Sequence, residues 1–145
     1  MLKAKDVMTK ELICIKKDSS IYETLQLLAQ NDITDIPVVE DDMTLAGILS
    51  EKGALKLFCG RTKDKTVNDF ITQPAVRLEQ DESLLDVYDC LINNSFRQVP
   101  VTAKGKLVGI ISRKDIIRHI LRFNCKTEPA FCTVDSTSLA EYDFL

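Results

Sequence analysis

The chain has 145 residues, 19 basic against 22 acidic side chains, a net charge of −3 and 45% apolar residues. That is enough for one compact domain or two small packed halves. The acidic balance argues against a general nucleic-acid or anionic-membrane binder, and no apolar stretch is long enough to span a bilayer. Met1-Leu2-Lys3-Ala4-Lys5-Asp6 meets an acid before any apolar run, so it does not read as a signal peptide, and a cytoplasmic protein is expected.

In chain order, Glu11-Leu12-Ile13-Cys14-Ile15 reads as a short buried strand, closed by the turn and cap residues Lys16 to Ser20. Ile21, Leu25, Leu28 and Ala29 then recur at helical spacing, and Asn31-Asp32 ends that helix. Ile36-Pro37-Val38-Val39 is extended, with the proline favouring a strand start or edge. A polar turn at Glu40-Asp41-Asp42 leads to a strand over Leu45–Leu49. A helix follows from Glu51 to about Phe58, with Gly60 as its stop. A polar linker occupies residues 61–68. The same order then returns: a strand at Ala75–Leu78, a helix started by Asp81-Glu82-Ser83 and bearing Leu84, Val87, Tyr88 and Leu91, strands at Val99–Val101 and Lys106–Ile111 joined by a turn at Lys104-Gly105, and a helix from Arg113 to about Phe123.

The return is residue by residue. Asp6, Thr9, Asp18, Ser20, Leu28, Asn31, Pro37, Val38, Leu45, Gly47, Ile48, Ser50 and Lys52 recur 62 or 63 positions later as Asp69, Thr72, Asp81, Ser83, Leu91, Asn94, Pro100, Val101, Leu107, Gly109, Ile110, Ser112 and Lys114. Two copies are too few for a solenoid, so they are expected to face each other. The reading is an α/β (α+β) fold of two β-α-β-β-α repeats: repeat 1 over residues 1–60, the linker 61–68, repeat 2 over 69–123, and a tail at 124–145 that matches neither copy. The tail carries Phe131, Val134, Leu139, Tyr142, Phe144 and Leu145 among acids. It is read as packing on the parent fold or on a neighbouring subunit, with a regulatory peptide-like segment as the alternative.

Gly109-Ile110-Ile111-Ser112-Arg113-Lys114-Asp115 has the form G-h-x-[ST]-x-x-D, where h is apolar. It follows the Val99-Pro100-Val101 strand and, further upstream, a helix opened by an Asp-x-Ser step. Given twice in register, this order resembles the tandem CBS (cystathionine-β-synthase-type) domain pair, or Bateman module, over residues 3–123. The resemblance implies a pseudo-two-fold module that binds an adenosine-containing ligand in clefts between its repeats, and that pairs into a homodimer.

The motif also has a direct physical reading. A strand running into a helix N-terminus offers unpaired N–H groups and partial positive charge, which suit phosphate. Ser112 can cap the helix or bond a ligand, and Asp115 can accept both hydroxyls of a ribose diol. Taken alone, Ser112-x-x-Asp115 is also close to a capping box, in which the two side chains satisfy backbone N–H groups reciprocally. Repeat 1 has Gly53 where repeat 2 has Asp115, and Glu51 adds negative charge, so the cleft at Ser50 is expected to be empty or weak for nucleotides. The resemblance implies that the Ser112/Asp115 cleft borrows its base pocket from repeat 1. Ile13 and Pro37 would sandwich a purine, backbone near Cys14 would read its edge, and Thr34 would lie beside the second strand. Ile110 would lie under the sugar, and Lys52 and Arg97 would face phosphate. A solvated Lys52, an Arg97 paired with Asp35 or Asp32, and a Thr34 that is only a turn hydroxyl are the plainer alternatives.

Among the five cysteines no C-x-x-C occurs, and His119 is the only histidine, so neither a disulfide framework nor a metal site is expected. No catalytic constellation is visible, and no cofactor is called for. The expectation is a free-standing regulatory module that senses AMP, ADP, ATP or S-adenosylmethionine and acts on an unidentified regulated protein. The alternative is a constitutive dimerisation or interaction module without a nucleotide. Leu55, Phe58, Ile117 and Ile120 on the closing helices are the expected dimer face.

Overall fold

A computed structural model describes residues 2–31, 33–59, 66–74, 76–94 and 97–124. The expected tail beyond Asn124, Gly60, Asp32 and most of the linker lie outside these residues. The elements are α1 (Ala4–Val7), β1 (Ile15–Lys16), α2 (Ile21–Gln30), β2 (Asp35–Val39), β3 (Leu45–Ser50), α3 (Glu51–Cys59), a 3₁₀ turn (Val67–Phe70), β4 (Leu78–Glu79), α4 (Leu84–Asn93), β5 (Gln98–Ala103), β6 (Lys106–Ser112) and α5 (Arg113–Asn124).

Each half holds a three-stranded sheet, β1-β2-β3 and β4-β5-β6, with the outer strand parallel and the hairpin antiparallel. The first strand of each half is shorter than expected. Glu11 to Cys14 are not in β1, and of the expected Ala75–Leu78 strand Val76 and Arg77 are not in β4, while Ala75 lies outside the described residues. The prolines account for the truncation. Pro37 and Pro100 have no N–H to donate, and parallel pairing begins one residue beyond each, at Ile15 with Val38 and at Leu78 with Val101.

Ser20 and Ser83 cap α2 and α4, their hydroxyls accepting from Glu23 N at 3.1 Å and Asp86 N at 3.3 Å. The β5–β6 turn has φ of 53° at Lys104 and 82° at Gly105, the two positive angles of a tight hairpin turn. Burial follows the pleat in β3, where Leu45, Gly47 and Leu49 face inward, and in β6, where Leu107, Gly109 and Ile111 do the same.

The two halves exchange their leading segments. Ala4 of α1 packs in the repeat 2 core with Leu84, Val87 and Ile111, and Met8 packs against that core. Val67 packs in the repeat 1 core with Ile36, Leu49 and Ala54, joined by Phe70 and Ile71. Backbone bonds fix the exchange. Thr9 N donates to Ile110 O at 2.8 Å and Ile110 N to Thr9 O at 3.0 Å, while Ile48 and Thr72 do the same at 2.8 and 2.9 Å. The glycines of β3 and β6 permit this approach. A Cβ at Gly109 would lie 2.5 Å from Met8 Sδ, and one at Gly47 would lie 2.9 Å from the carbonyl oxygen of Thr72. The hairpin tips also meet, through Leu45 N to Gly105 O at 3.0 Å and Leu107 N to Met43 O at 2.9 Å. Beneath them Val39, Leu45 and Leu107 form a small shared core with Leu12 and Cys14.

Candidate functional site

Two clefts open where the halves face each other. The first, of about 500 Å³, lies at the β6–α5 junction and holds Ile110, Ser112, Lys114, Asp115 and Arg118. Repeat 1 supplies its other wall: Thr9, Glu11, Leu12 and Ile13 ahead of β1, and Asn31 and Ile33 after α2. The second, of about 400 Å³, lies at Ser50 and holds Asp35, Pro37, Ile48, Thr72, Gln73, Pro74, Arg97 and Pro100. Gln98 and Ile110 line both, so the two clefts share a wall.

Asp115 is the centre of the first cleft, and its side chain is only 9% exposed. Its Oδ2 accepts from Ser112 N at 2.7 Å and from Ser112 Oγ at 2.9 Å. Its Oδ1 accepts from Thr9 Oγ1 at 2.9 Å, and Asp115 N donates to Ser112 Oγ at 3.4 Å. Arg118 Nη1 stands 3.7 Å from Oδ1. The capping box is therefore real, and the exchanged N-terminal segment adds a third donor. A carboxylate has about four lone-pair positions, so one remains for a donor in the cleft. In repeat 1 the corresponding hydroxyl, Ser50 Oγ, accepts from Gly53 N at 3.1 Å, and among the described residues no carboxylate bonds it.

The expected site residues divide between the clefts. Ile13, Ile110, Ser112 and Asp115 come together in the first. Pro37 and Arg97 line the second, so Ile13 and Pro37 stand in different clefts. Cys14 lies in the shared core under the hairpin tips, and its thiol is pushed up from its ordinary value by burial. Thr34 Oγ1 donates to Asp35 Oδ2 at 3.1 Å, and Thr34 O accepts from Glu51 N at 2.9 Å, which satisfies an orphan donor at the start of α3. Lys52 is exposed on α3 and lines neither cleft. Arg97 has no ion pair with Asp35 among the described residues, although both line the Ser50 cleft.

Thr9, Asn31 and Lys114 were visible in the sequence as repeated positions, and the first cleft uses all three. Glu11, Leu12, Ile33, Gln98 and Arg118 carried no such signal. Among the described residues no three His, Cys, Asp or Glu side chains gather as a metal site, and no helix is long and apolar enough to cross a membrane.

Comparison with known proteins places this geometry. CBSX2, a chloroplastic CBS domain-containing protein of Arabidopsis thaliana, is 27% identical over 155 residues, covering 85% of this chain and 65% of that protein. The crystal structure of CBSX2 in complex with AMP matches with a TM-score of 0.72 at 30% identity, over 84% of this chain and 98% of that one. The CBS domain pair of protein MJ0100, in complex with 5′-methylthioadenosine and S-adenosyl-L-methionine, matches with a TM-score of 0.65 at 26% identity, over 83% of this chain and 96% of that one. Protein MJ1225 of Methanocaldococcus jannaschii is 26% identical over 115 residues, covering 79% of this chain, which spans 41% of its length. The CBS domain model matches twice, at residues 4–60 and 67–122. With the two repeats, their exchanged leading segments and the paired clefts, this chain belongs to the CBS domain family as a tandem pair of CBS domains.

Proposed function

We propose that this chain is a regulatory module, not an enzyme, that binds one adenosine-containing ligand in the Asp115 cleft. The observation that carries the reading is the placement of the Ser112–Asp115 motif of repeat 2 opposite the apolar Ile13 and Ile33 of repeat 1, in a cleft of about 500 Å³. An apolar wall suits a base, and the one open acceptor position on Asp115 suits a ribose hydroxyl. Structures of similar CBS pairs hold AMP, or 5′-methylthioadenosine and S-adenosyl-L-methionine, which supports adenosine as the shared element. Arg97, next to Gln98 of the shared wall in the Ser50 cleft, would meet an anionic tail that reaches there. Lys52 would contribute only through a longer reach from α3.

Ligand binding regulates only if it favours one of two states of the module. A dimer supplies such states. Apolar grooves run along both closing-helix pairs, one of about 330 Å³ with Tyr88, Ile92, Ile116, Ile117 and Ile120, and one of about 270 Å³ with Leu25, Leu28, Ala54 and Leu55. Ile117 is 55% exposed and Leu55 62%. Pseudo-two-fold grooves of this kind suit a homodimer, and the regulated protein would read its geometry.

One observation favours the second reading, a constitutive dimerisation module: the Asp115 carboxylate already accepts three hydrogen bonds without a ligand. Isothermal calorimetry with adenosine, AMP, ATP and S-adenosylmethionine separates the two. The proposal expects one site per chain for at least one of them. No heat from any of the four, with the protein folded and dimeric, selects the constitutive module.

A further inference from the structure

The two repeats place their acids on different elements. In repeat 2 the acid is Asp115 on α5, and the residue directly opposite Ser112 across the hairpin is the neutral Gln98. In repeat 1, α3 has Gly53, and the residue directly opposite Ser50 is Asp35. An acid at position 53 has little room. A Cβ there would lie 3.1 Å from both Leu49 Cδ1 and the Phe70 carbonyl oxygen, where the exchanged 3₁₀ turn packs. The Ser50 cleft therefore does not lack a carboxylate; it presents one from β2.

Asp35 is half-buried, and its carboxylate takes one hydrogen bond among the described residues, from Thr34 Oγ1 at 3.1 Å. Arg97, from the other repeat, brings up to five N–H donors to the same cleft. The two charges are opposite, line one cavity and form no ion pair among the described residues. A polyphosphate would satisfy Arg97 but be repelled by Asp35, and a neutral sugar would leave Arg97 unused. A ligand group bearing both signs satisfies each. Gln98 and Ile110 line both this cleft and the Asp115 cleft, so the two are adjacent, and a ligand with an extended tail is the kind that would reach from one to the other.

We propose that the Ser50 cleft is a site for a zwitterionic α-amino-acid group, its ammonium against Asp35 and its carboxylate against Arg97. Two sources carry that group: the methionyl tail of an S-adenosylmethionine-type ligand whose adenosine sits at Asp115, and a free α-amino acid. The first source rests on the adenosine reading above; the second does not.

The test is calorimetry on the full chain with S-adenosylmethionine, 5′-methylthioadenosine, which lacks the amino-acid group, and ATP, with a thermal-shift screen of the common α-amino acids. Wild type is compared with Asp35→Asn and Arg97→Gln. Asp35→Asn keeps the side-chain volume and an oxygen for Thr34, so the fold is expected to survive it, and the melting curve checks this. For the tail source, S-adenosylmethionine binds at least about tenfold tighter than methylthioadenosine, as expected for charge-assisted bonds. Each variant then removes that margin while leaving methylthioadenosine unchanged, and Asp35→Asn strengthens ATP. For the free source, an amino acid raises the melting temperature of wild type and of neither variant. The proposal is overturned if S-adenosylmethionine and methylthioadenosine bind alike and no amino acid binds, or if binding is indifferent to both substitutions. Failure of the adenosine reading looks different: methylthioadenosine and ATP give no heat, and the amino-acid screen alone then decides for or against the zwitterion site.

Discussion

Gly109→Ala probes the exchange of leading segments, on which the geometry at Asp115 depends. The added methyl would lie 2.5 Å from Met8 Sδ, 2.8 Å from its Cγ and 3.1 Å from its Cβ. Sδ and Cγ belong to a flexible side chain, but relief requires Met8 to leave the repeat 2 core it packs against. Overpacking of this kind costs about 1–3 kcal/mol, while replacing a strand glycine by alanine returns roughly 0.5–1 kcal/mol of backbone entropy. The net loss then lies between about 0 and 2.5 kcal/mol, with a midpoint of roughly 1 kcal/mol. At Gly47 the clash is with the Thr72 carbonyl oxygen at 2.9 Å, which has no rotamer to change, so Gly47→Ala costs more. Urea unfolding measures both. Met8→Ala removes the atoms that Gly109→Ala meets, so the double variant should be more stable than the sum of the singles by about 1 kcal/mol or more. A near-neutral Gly109→Ala, with the two substitutions additive to within about 0.5 kcal/mol, would refute the packing account.

Three further outcomes are expected. Thr9→Val removes one donor to Asp115 Oδ1, 106 residues away, and lowers stability by about 1 kcal/mol in urea without changing the slope. Burial raises the thiol pKa of Cys14 and, first by burial and then by the Glu82 charge, that of Cys90; both should label with iodoacetamide at pH 8 more slowly than exposed Cys59. These raised values make the folded chain hold its protons longer than the unfolded one, so stability falls as pH rises past the free thiol's value of 9.0. Ile117→Lys places a charge in the α4–α5 groove, and sedimentation should show the proposed dimer in wild type and a shift to monomer in the variant, while adenosine still binds.

The repeat, the helix caps and the hairpins were legible because they are local. Ser20 and Ser83 announce their helices within three residues, and Lys104-Gly105 is a two-residue turn. The exchange of leading segments was not legible. Asp6 and Asp69 recur as partners in sequence, yet α1 lies on repeat 2 and the 3₁₀ turn on repeat 1, a choice made by long-range packing at Gly109 and Gly47. The same limit applies at the site. Ser112 and Asp115 lie three apart on one helix start, so their pairing could be read from spacing, but Thr9 joins them only through the exchange. Pro37 and Ile13 fall in separate clefts, a tertiary placement that no periodicity shows.

The most direct measurement is adenosine binding to wild type and to Asp115→Asn, by calorimetry, with the urea midpoint of each recorded beside it. Adenosine has no phosphate or amino-acid tail, so only the base and ribose contacts are read. The account predicts one site per chain in wild type and a loss of about ten- to a hundredfold in the variant, as for the removal of a charged acceptor worth roughly 1.5–3 kcal/mol. Unchanged adenosine affinity in a folded Asp115→Asn protein would contradict it, and would leave Asp115 as the cap of α5 alone.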